Sequence, residues 1–162
     1  MSKPVVYYVD GIVPLITCLG RVEDIPAKAV NKAAAKGANV VRKAVRGTVP
    51  VDTGMLKKGI VRNGERRKVK GKRVYDITMD RGMNDIFQKP IKKPGQFGGK
   101  SDHGYYPASM EYGFLTRSKG RGLSFVPGYH FMRAAAEEMS SSAKKQMIDV
   151  LNAEIEKDWN KK

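Results

Sequence analysis

The segment VPVDTG at positions 49–54 contains the residue types with which an aspartic protease presents its catalytic carboxylate. That reaction needs two carboxylates that share one proton, each delivered by a strand and a glycine turn. Here a cationic helical pattern leads into Asp52, and Pro50 lies two residues before the acid. The framing strands are therefore missing, and we predict no catalytic role for Asp52.

The same residues suit a structural turn. Pro50 prevents a preceding helix from continuing. The side chains of Asp52 and Thr53 can each accept a hydrogen bond from a backbone N–H two residues further on. Gly54 can adopt a positive φ at little cost. We interpret Pro50, Asp52, Thr53 and Gly54 as a turn.

Other residues that could do chemistry are few. His103 and His130 have no metal-ligand spacing, and the glycine-rich stretches 98–99 and 120–122 lack the phosphate-loop pattern. Cys18 is the only cysteine, which excludes an intrachain disulfide and a cysteine-rich zinc site. We expect a non-enzymatic protein that binds no cofactor and no metal.

The excess of positive charge needs counter-charge from solvent ions, an acidic partner or nucleic acid. The 162 residues carry 31 Lys and Arg against 16 Asp and Glu, a net charge of +15. Part of this excess forms a basic patch in the segment 57–73, namely Lys57, Lys58, Arg62, Arg66, Arg67, Lys68, Lys70, Lys72 and Arg73. The patch is either a solvated hairpin or a contact for a polyanion. Because no helix-turn-helix, zinc-finger or RNA-binding aromatic signature accompanies it, nucleic-acid binding would be unspecific.

The periodicity predicts an α+β fold in one domain, 1–162. Small and apolar residues recur at helical spacing over 26–46 and again from about His130 to the C-terminus, which gives two long helices. The segments MLKKGIVR, KRVYDITMD and LSFVPGY read as strands, and YYPASMEYGFL as a strand and turn. We expect both helices to pack on one antiparallel sheet.

Two segments lie outside this pattern. Residues 1–23 predict a short strand and a short helix, with neither a signal peptide nor a membrane span. Residues 81–104 break every periodicity and predict a flexible, basic insertion. The residues expected to form its interaction arm are Phe87, Ile91, Lys92, Lys93 and Phe97.

Three motifs in order resemble one protein family. VPVDTGMLKKGI follows the first long helix, YYPASMEYG follows the strands, and PGYHFMRAA opens the last helix. Together they resemble the tail-completion, or head–tail joining, neck proteins of long-tailed double-stranded DNA bacteriophages. Besides the turn, the matching positions are Leu56, Tyr106, Glu111, Gly113, Phe131, Met132, Arg133 and Ala135.

The resemblance implies a structural virion protein. Members of that family act as copies in a ring between the portal or connector of a filled head and the tail tube or tail terminator. It also implies assembly in the host cytoplasm, a possible passing contact with genomic DNA, and no membrane partner. The chain departs from the family pattern at Gly59, where serine is common, at Phe114, which replaces a small hydroxyl residue, and at Ala134, which replaces a frequent proline.

Overall fold

A computed structural model describes residues 27–66, 72–91, 102–118 and 122–160, without the side chains of Ser118 and Trp159. The strand and helix predicted within 1–23 lie outside these residues. The helices are α1 (Ala27–Thr48), α2 (Met55–Gly59), α3 (Asn84–Phe87), α4 (Tyr106–Tyr112) and α5 (Phe131–Trp159), with a 3-10 turn at Arg81–Met83. The strands are β1 (Ile60–Gly64), β2 (Tyr75–Met79), β3 (Gln88–Pro90), β4 (His103–Tyr105), β5 (Gly113–Ser118) and β6 (Gly122–Pro127).

The two long helices pack against each other through small residues. Ala29, Ala33 and Gly37 form the buried stripe of α1. A Cβ at Gly37 would lie 2.5 Å from Cγ of Met147 and 3.3 Å from the carbonyl oxygen of Ala143, both on α5. The backbones of α1 and α5 can approach closely at this point because Gly37 has no side chain.

We expect Gly37→Val to destabilise the protein by about 2 kcal/mol, because the added methyl groups must displace Met147 in a packed interface. The matched control is Gly47→Val in the last turn of the same helix, where an added Cβ meets nothing within 4 Å. It should leave the free energy of unfolding within about 0.5 kcal/mol of the parent value. Thermal unfolding followed by circular dichroism measures both, and equal effects at the two positions would contradict a close helix contact at Gly37.

The core lies where the C-terminal end of α1 meets the start of α5. Its fully buried residues are Val45, Val49, Leu56, Ile60, Phe87, Phe131 and Ala135. Partly buried side chains, among them Ile77, Met79 and Met110, pack around them. This single cluster joins residues that are up to 90 positions apart in sequence, from Val45 to Ala135.

The α+β class is confirmed, with the long helices packed against antiparallel strands. In place of one sheet, the described strands form three two-stranded antiparallel ladders, β1–β2, β3–β4 and β5–β6. Ile60 pairs with Met79, Gln88 with Tyr105 and Gly113 with Pro127. A two-stranded ladder is marginal alone, and β1–β2 lies against α1, where Ile60 is completely buried.

Three segments differ from the sequence-based expectation. Met55–Gly59 is helical before β1 begins, and YPASMEY forms α4, with Pro107 in its first turn, where proline is tolerated. The insertion 81–104 is structured at both ends, with a 3-10 turn, α3 and β3 on one side and β4 on the other. Short elements of three or four residues are too brief to show a period in the sequence.

Candidate interaction surface

The turn predicted at 50–54 connects α1 to α2. The Val49 N–H donates to the Val45 carbonyl at 3.1 Å, and Pro50 comes next, which has no N–H to continue the helix. Gly54 has φ 76° and immediately precedes α2. Thr53 Oγ1 accepts the Met55 N–H at 3.5 Å, whereas Asp52 is exposed and no hydrogen bond of its carboxylate was found in the described chain. The turn delivers Leu56 into the core.

Glu111 connects the second motif to the third. It is 4% exposed, and its two carboxylate oxygens accept the backbone N–H groups of Met132 at 2.9 Å and of Arg133 at 3.1 Å. These donors belong to the first turn of α5, where no intrahelical acceptor is available. A carboxylate there also interacts favourably with the helix dipole. Glu111 therefore acts as the cap of α5, although it lies 20 positions before the start of that helix at Phe131.

Two glycines allow the chain to cross itself beside this cap. Gly113 has φ 86° and ψ −179°, a region that is essentially confined to glycine. A Cβ there would lie 2.3 Å from the carbonyl oxygen of Val126, and one at Gly128 would lie 2.2 Å from that of Glu111. The crossing is closed by hydrogen bonds from the Tyr129 N–H to Met110 and from the His130 N–H to Glu111.

The three motifs meet in one place. Leu56 from the first motif and Phe131 and Ala135 from the third lie in the same buried cluster. Thr48 Oγ1, just before the turn, donates to the Phe131 carbonyl at 3.3 Å. Met132 is partly buried beside them, and Glu111 and Gly113 of the second motif form the cap and the crossing. These positions build the framework of the molecule.

Outside the turn, the exposed motif residues are Tyr106 and Arg133. Tyr106 is 41% exposed at the start of α4. Arg133 is exposed, and its Nε donates to Glu137 at 2.9 Å. That hydrogen bond raises the pKa of the Arg133 guanidinium above its ordinary value.

The departure from the family pattern at Gly59 has a packing reason. A Cβ at this position would lie 2.5 Å from Cζ of Phe87 and 2.7 Å from its Cε2. Phe87 is 1% exposed, and its ring packs edge-on against Tyr105, with ring centroids 6.2 Å apart. The phenyl ring fills the space that a serine side chain would need. Phe87 is thus a core residue, and its assignment to an interaction arm is wrong.

Gly59→Ser should destabilise the protein by about 2 kcal/mol, because Phe87 is enclosed by core residues and cannot move aside freely. Adding Phe87→Leu removes the clashing ring edge, so the two substitutions should couple by about 1 kcal/mol in a double-mutant cycle. Urea unfolding of the parent, both single variants and the double variant gives this coupling. Additive effects would show that the two residues do not share one space.

The predicted basic patch is divided in the structure. Arg62 donates to the Ala35 carbonyl at 2.8 Å, Arg73 donates to the Glu65 carbonyl at 2.9 Å, and both guanidinium groups contact the Tyr75 ring, at 4.7 and 5.1 Å. These two arginines hold β1 and β2 in place. The remaining described members are exposed, Lys57 and Lys58 on α2 and Arg66 and Lys72 beyond the other end of β1. Arg67, Lys68 and Lys70 lie outside the described residues.

Two of the residues predicted to form the interaction arm are described, Phe87 and Ile91. Ile91 is 39% exposed, and its N–H donates to the Asp102 carbonyl at 2.7 Å, which extends the β3–β4 ladder by one rung. Lys92, Lys93 and Phe97 lie outside the described residues. The described ends of the segment are therefore tied together by β3 and β4.

The described residues include an exposed apolar surface that the sequence pattern did not predict. The ladder β5–β6, named here the apolar hairpin, exposes Phe114 (46%), Leu115 (47%), Leu123 (54%) and Phe125 (59%). Tyr112 and Tyr129 flank its base and are also exposed. The sequence contains one signal of this surface, the pair Phe114-Leu115. Successive residues of a strand point to opposite faces, so two adjacent apolar residues place an apolar side chain on each face.

Within the described ranges, no cluster of three or more His, Cys, Asp and Glu side chains is arranged to bind a metal ion. The same portion of the chain holds no helix whose length and hydropathy would let it cross a membrane.

Comparison with known proteins gave one family. The sequence model of the family described as "Bacteriophage HK97-gp10, putative tail-component" matches residues 15–82. The match extends from before α1 through the turn at 50–54 and β2 to the 3-10 turn. It confirms the resemblance to bacteriophage tail proteins that the motifs predicted. Neither the curated proteins nor the solved structures contributed a match.

Proposed function

We propose that this chain, whose residues 15–82 match the HK97-gp10-like family of bacteriophage tail components, is a structural virion protein of the neck. In this role it joins the portal or connector of the head to the tail tube, as one subunit of a ring. The family match is the observation that carries the proposal. The resemblance of the motifs at 106–113 and 131–135 to tail-completion proteins narrows a general tail role to head–tail joining.

Most of the motif residues build the folded framework. This supports a structural role in which the protein binds between other virion proteins. Leu56, Phe131 and Ala135 form the core, and Glu111 and Gly113 fix the start of α5. The surface of this framework carries the exposed apolar hairpin and separate clusters of lysine and arginine. A closed ring requires two different surfaces on each subunit, one meeting the other on the next copy.

The partners proposed for these surfaces are other copies of the chain, the connector proteins and the tail tube or tail terminator. A net charge of +15 also favours a passing contact with the genomic DNA that crosses the neck. The exposed cations on α2 and beyond β1 are available for such a contact, whereas Arg62 and Arg73 are occupied in binding carbonyl groups.

The decisive experiment is a nonsense mutation in the gene within an otherwise intact phage genome. We expect DNA-filled heads and complete but separate tails in electron micrographs, with infectivity restored when the protein is supplied from a plasmid. Adjacent genes should encode the portal, the capsid protein and the tail tube. Joined, infectious particles that form without the protein would overturn the proposal.

Unspecific nucleic-acid binding is the second candidate, favoured by the charge of +15. It predicts that the purified protein retards duplex DNA of any sequence, with an affinity that falls steeply between 50 and 200 mM salt, about 10-fold or more for a few phosphate contacts. The variant Lys57→Glu/Lys58→Glu/Arg66→Glu should lose this retardation. If the nonsense mutant forms normal particles while the protein binds DNA tightly, this second function is the correct one.

A further inference from the structure

The apolar hairpin exposes large side chains on both of its faces. Directly paired residues share a face, so Leu115, Leu123 and Phe125 lie together on one side, and Phe114 and Val126 on the other. Each of the first three is about half exposed or more, from 47% to 59%. A contiguous apolar surface of this kind, rimmed by polar residues, marks an interaction site.

The base of the hairpin is held rigidly. At Gly113 and Gly128 the two chain segments lie so close that an added Cβ would collide with the carbonyl oxygens of Val126 and Glu111. The Tyr129 N–H also donates to the Met110 carbonyl at 2.8 Å. Glu111, next to this crossing, is bonded to the first turn of α5. The apolar face is therefore presented in a fixed orientation relative to the core, which reduces the entropy lost when it binds.

The charge of this region defines its partner. From Tyr112 to Ala136 the sequence contains no acidic residue, and its cations are Arg117, Lys119, Arg121 and Arg133. Arg117 is exposed and pairs with Leu123, so it lies on the same face as Leu115 and Phe125. An apolar surface with cations beside it is complementary to an apolar cleft with acidic residues at its rim.

We propose that the apolar hairpin inserts into an apolar cleft with an acidic rim on a different virion protein. This inference rests on the proposed neck function and names the kind of partner that one surface takes. The same hairpin of a second copy is a poorer fit, because the region from Tyr112 to Ala136 contains no acidic residue with which Arg117 could pair. The Leu115, Leu123 and Phe125 side chains become buried in the cleft, and Arg117 pairs with the rim.

A photocross-link identifies what lies against the hairpin. The cross-linking amino acid benzoylphenylalanine replaces Phe125, and in the control it replaces Ile148, which is 57% exposed on α5. Purified particles are irradiated, and the linked product is identified by mass spectrometry. We expect position 125 to link to a virion protein of net negative charge, and position 148 not to link to it. A link to another copy, to the same chain or to DNA, or no link at 125, would overturn the proposal.

Side-chain replacement gives an independent measurement. The triple variant Leu115→Thr/Leu123→Thr/Phe125→Thr keeps strand propensity and alters only exposed positions, so its unfolding temperature should stay near that of the parent. We expect its amount in particles to fall by about 10-fold or more, since buried aromatic and aliphatic anchors dominate binding energy. Ile148→Thr should be incorporated normally. Arg117→Glu, a single change, should also lower incorporation, and Arg117→Lys should largely retain it.

The outcomes separate the contact from the function. If the parent protein is absent from particles, the virion role fails and the hairpin contact fails with it. If the triple variant and Arg117→Glu are each incorporated into particles in the same amount as the parent protein, only the hairpin contact is refuted. Binding of the parent, but not of the triple variant, to vesicles of phosphatidylcholine and phosphatidylglycerol would assign the surface to a lipid and also refute it.

Discussion

Gly113→Ala is expected to lower the free energy of unfolding by about 3–5 kcal/mol. Gly113 has φ 86° and ψ −179°. A residue with a side chain would lose about 1–3 kcal/mol of conformational free energy in adopting this backbone conformation. The new methyl group would also lie 2.3 Å from the Val126 carbonyl oxygen and 2.8 Å from the Gly128 nitrogen. Because these neighbours are backbone atoms, they cannot rotate away, and overpacking adds a further cost of about 1–3 kcal/mol.

The matched control for this variant lies in the same hairpin. Gly122 also has a positive φ, 74°, but a Cβ there meets nothing within 4 Å. Gly122→Ala should therefore cost only the conformational penalty of about 1–2 kcal/mol. Denaturant unfolding of both variants measures the difference, which isolates the contact between the crossing strands. If the two variants lose equal stability, the crossing is not packed as closely as the structure describes.

Glu111→Ala should lower the free energy of unfolding by about 3 kcal/mol. The substitution removes two hydrogen bonds from a charged acceptor to the Met132 and Arg133 N–H groups, each worth about 1.5–3 kcal/mol. Glu111→Gln keeps the shape and one acceptor oxygen, and we expect it to lose about half as much. Urea unfolding gives the values, and hydrogen exchange should show faster exchange of the first-turn amides of α5.

Glu137→Ala is the control for Glu111. Both residues are glutamates associated with the first turns of α5, but Glu137 is exposed and bonds only the Arg133 side chain, at 2.9 Å. A surface ion pair of this kind contributes little to stability, because both side chains are exposed to solvent. A loss at Glu137 as large as that at Glu111 would indicate that general charge near the helix start, and not capping by Glu111, stabilises α5.

The long helices and the strand of highest regularity could be predicted from the sequence. The spacing over 26–46 corresponds to α1 at Ala27–Thr48, the last helix begins at Phe131 as the period indicated, and the alternation in KRVYDITMD corresponds to β2. The helices extend over several turns and the strand alternates regularly. The apolar residues in the sequence therefore recur with the period of the element. The family match at 15–82 likewise follows from residue types alone.

The short elements could not be predicted in the same way. Phe87 belonged to a segment without periodicity, yet it is a core residue because its ring packs against Tyr105 and Gly59 leaves room for it. Nor does anything in YYPASMEYG indicate that Glu111 caps a helix that begins 20 residues later. Caps that come from another element depend on the path of the chain, which local sequence does not encode.

The sequence by itself determined the α+β class, the excess of positive charge and the resemblance to phage tail proteins, because each depends on composition or on local spacing. The tertiary structure decided which residues hold the framework and which face outward. It divided the described part of the basic segment between two structural arginines, Arg62 and Arg73, and exposed cations. It also placed Phe114, Leu115, Leu123 and Phe125 on an exposed hairpin. Burial is a property of the packed chain, and two apolar strands of identical sequence can face either a core or a partner.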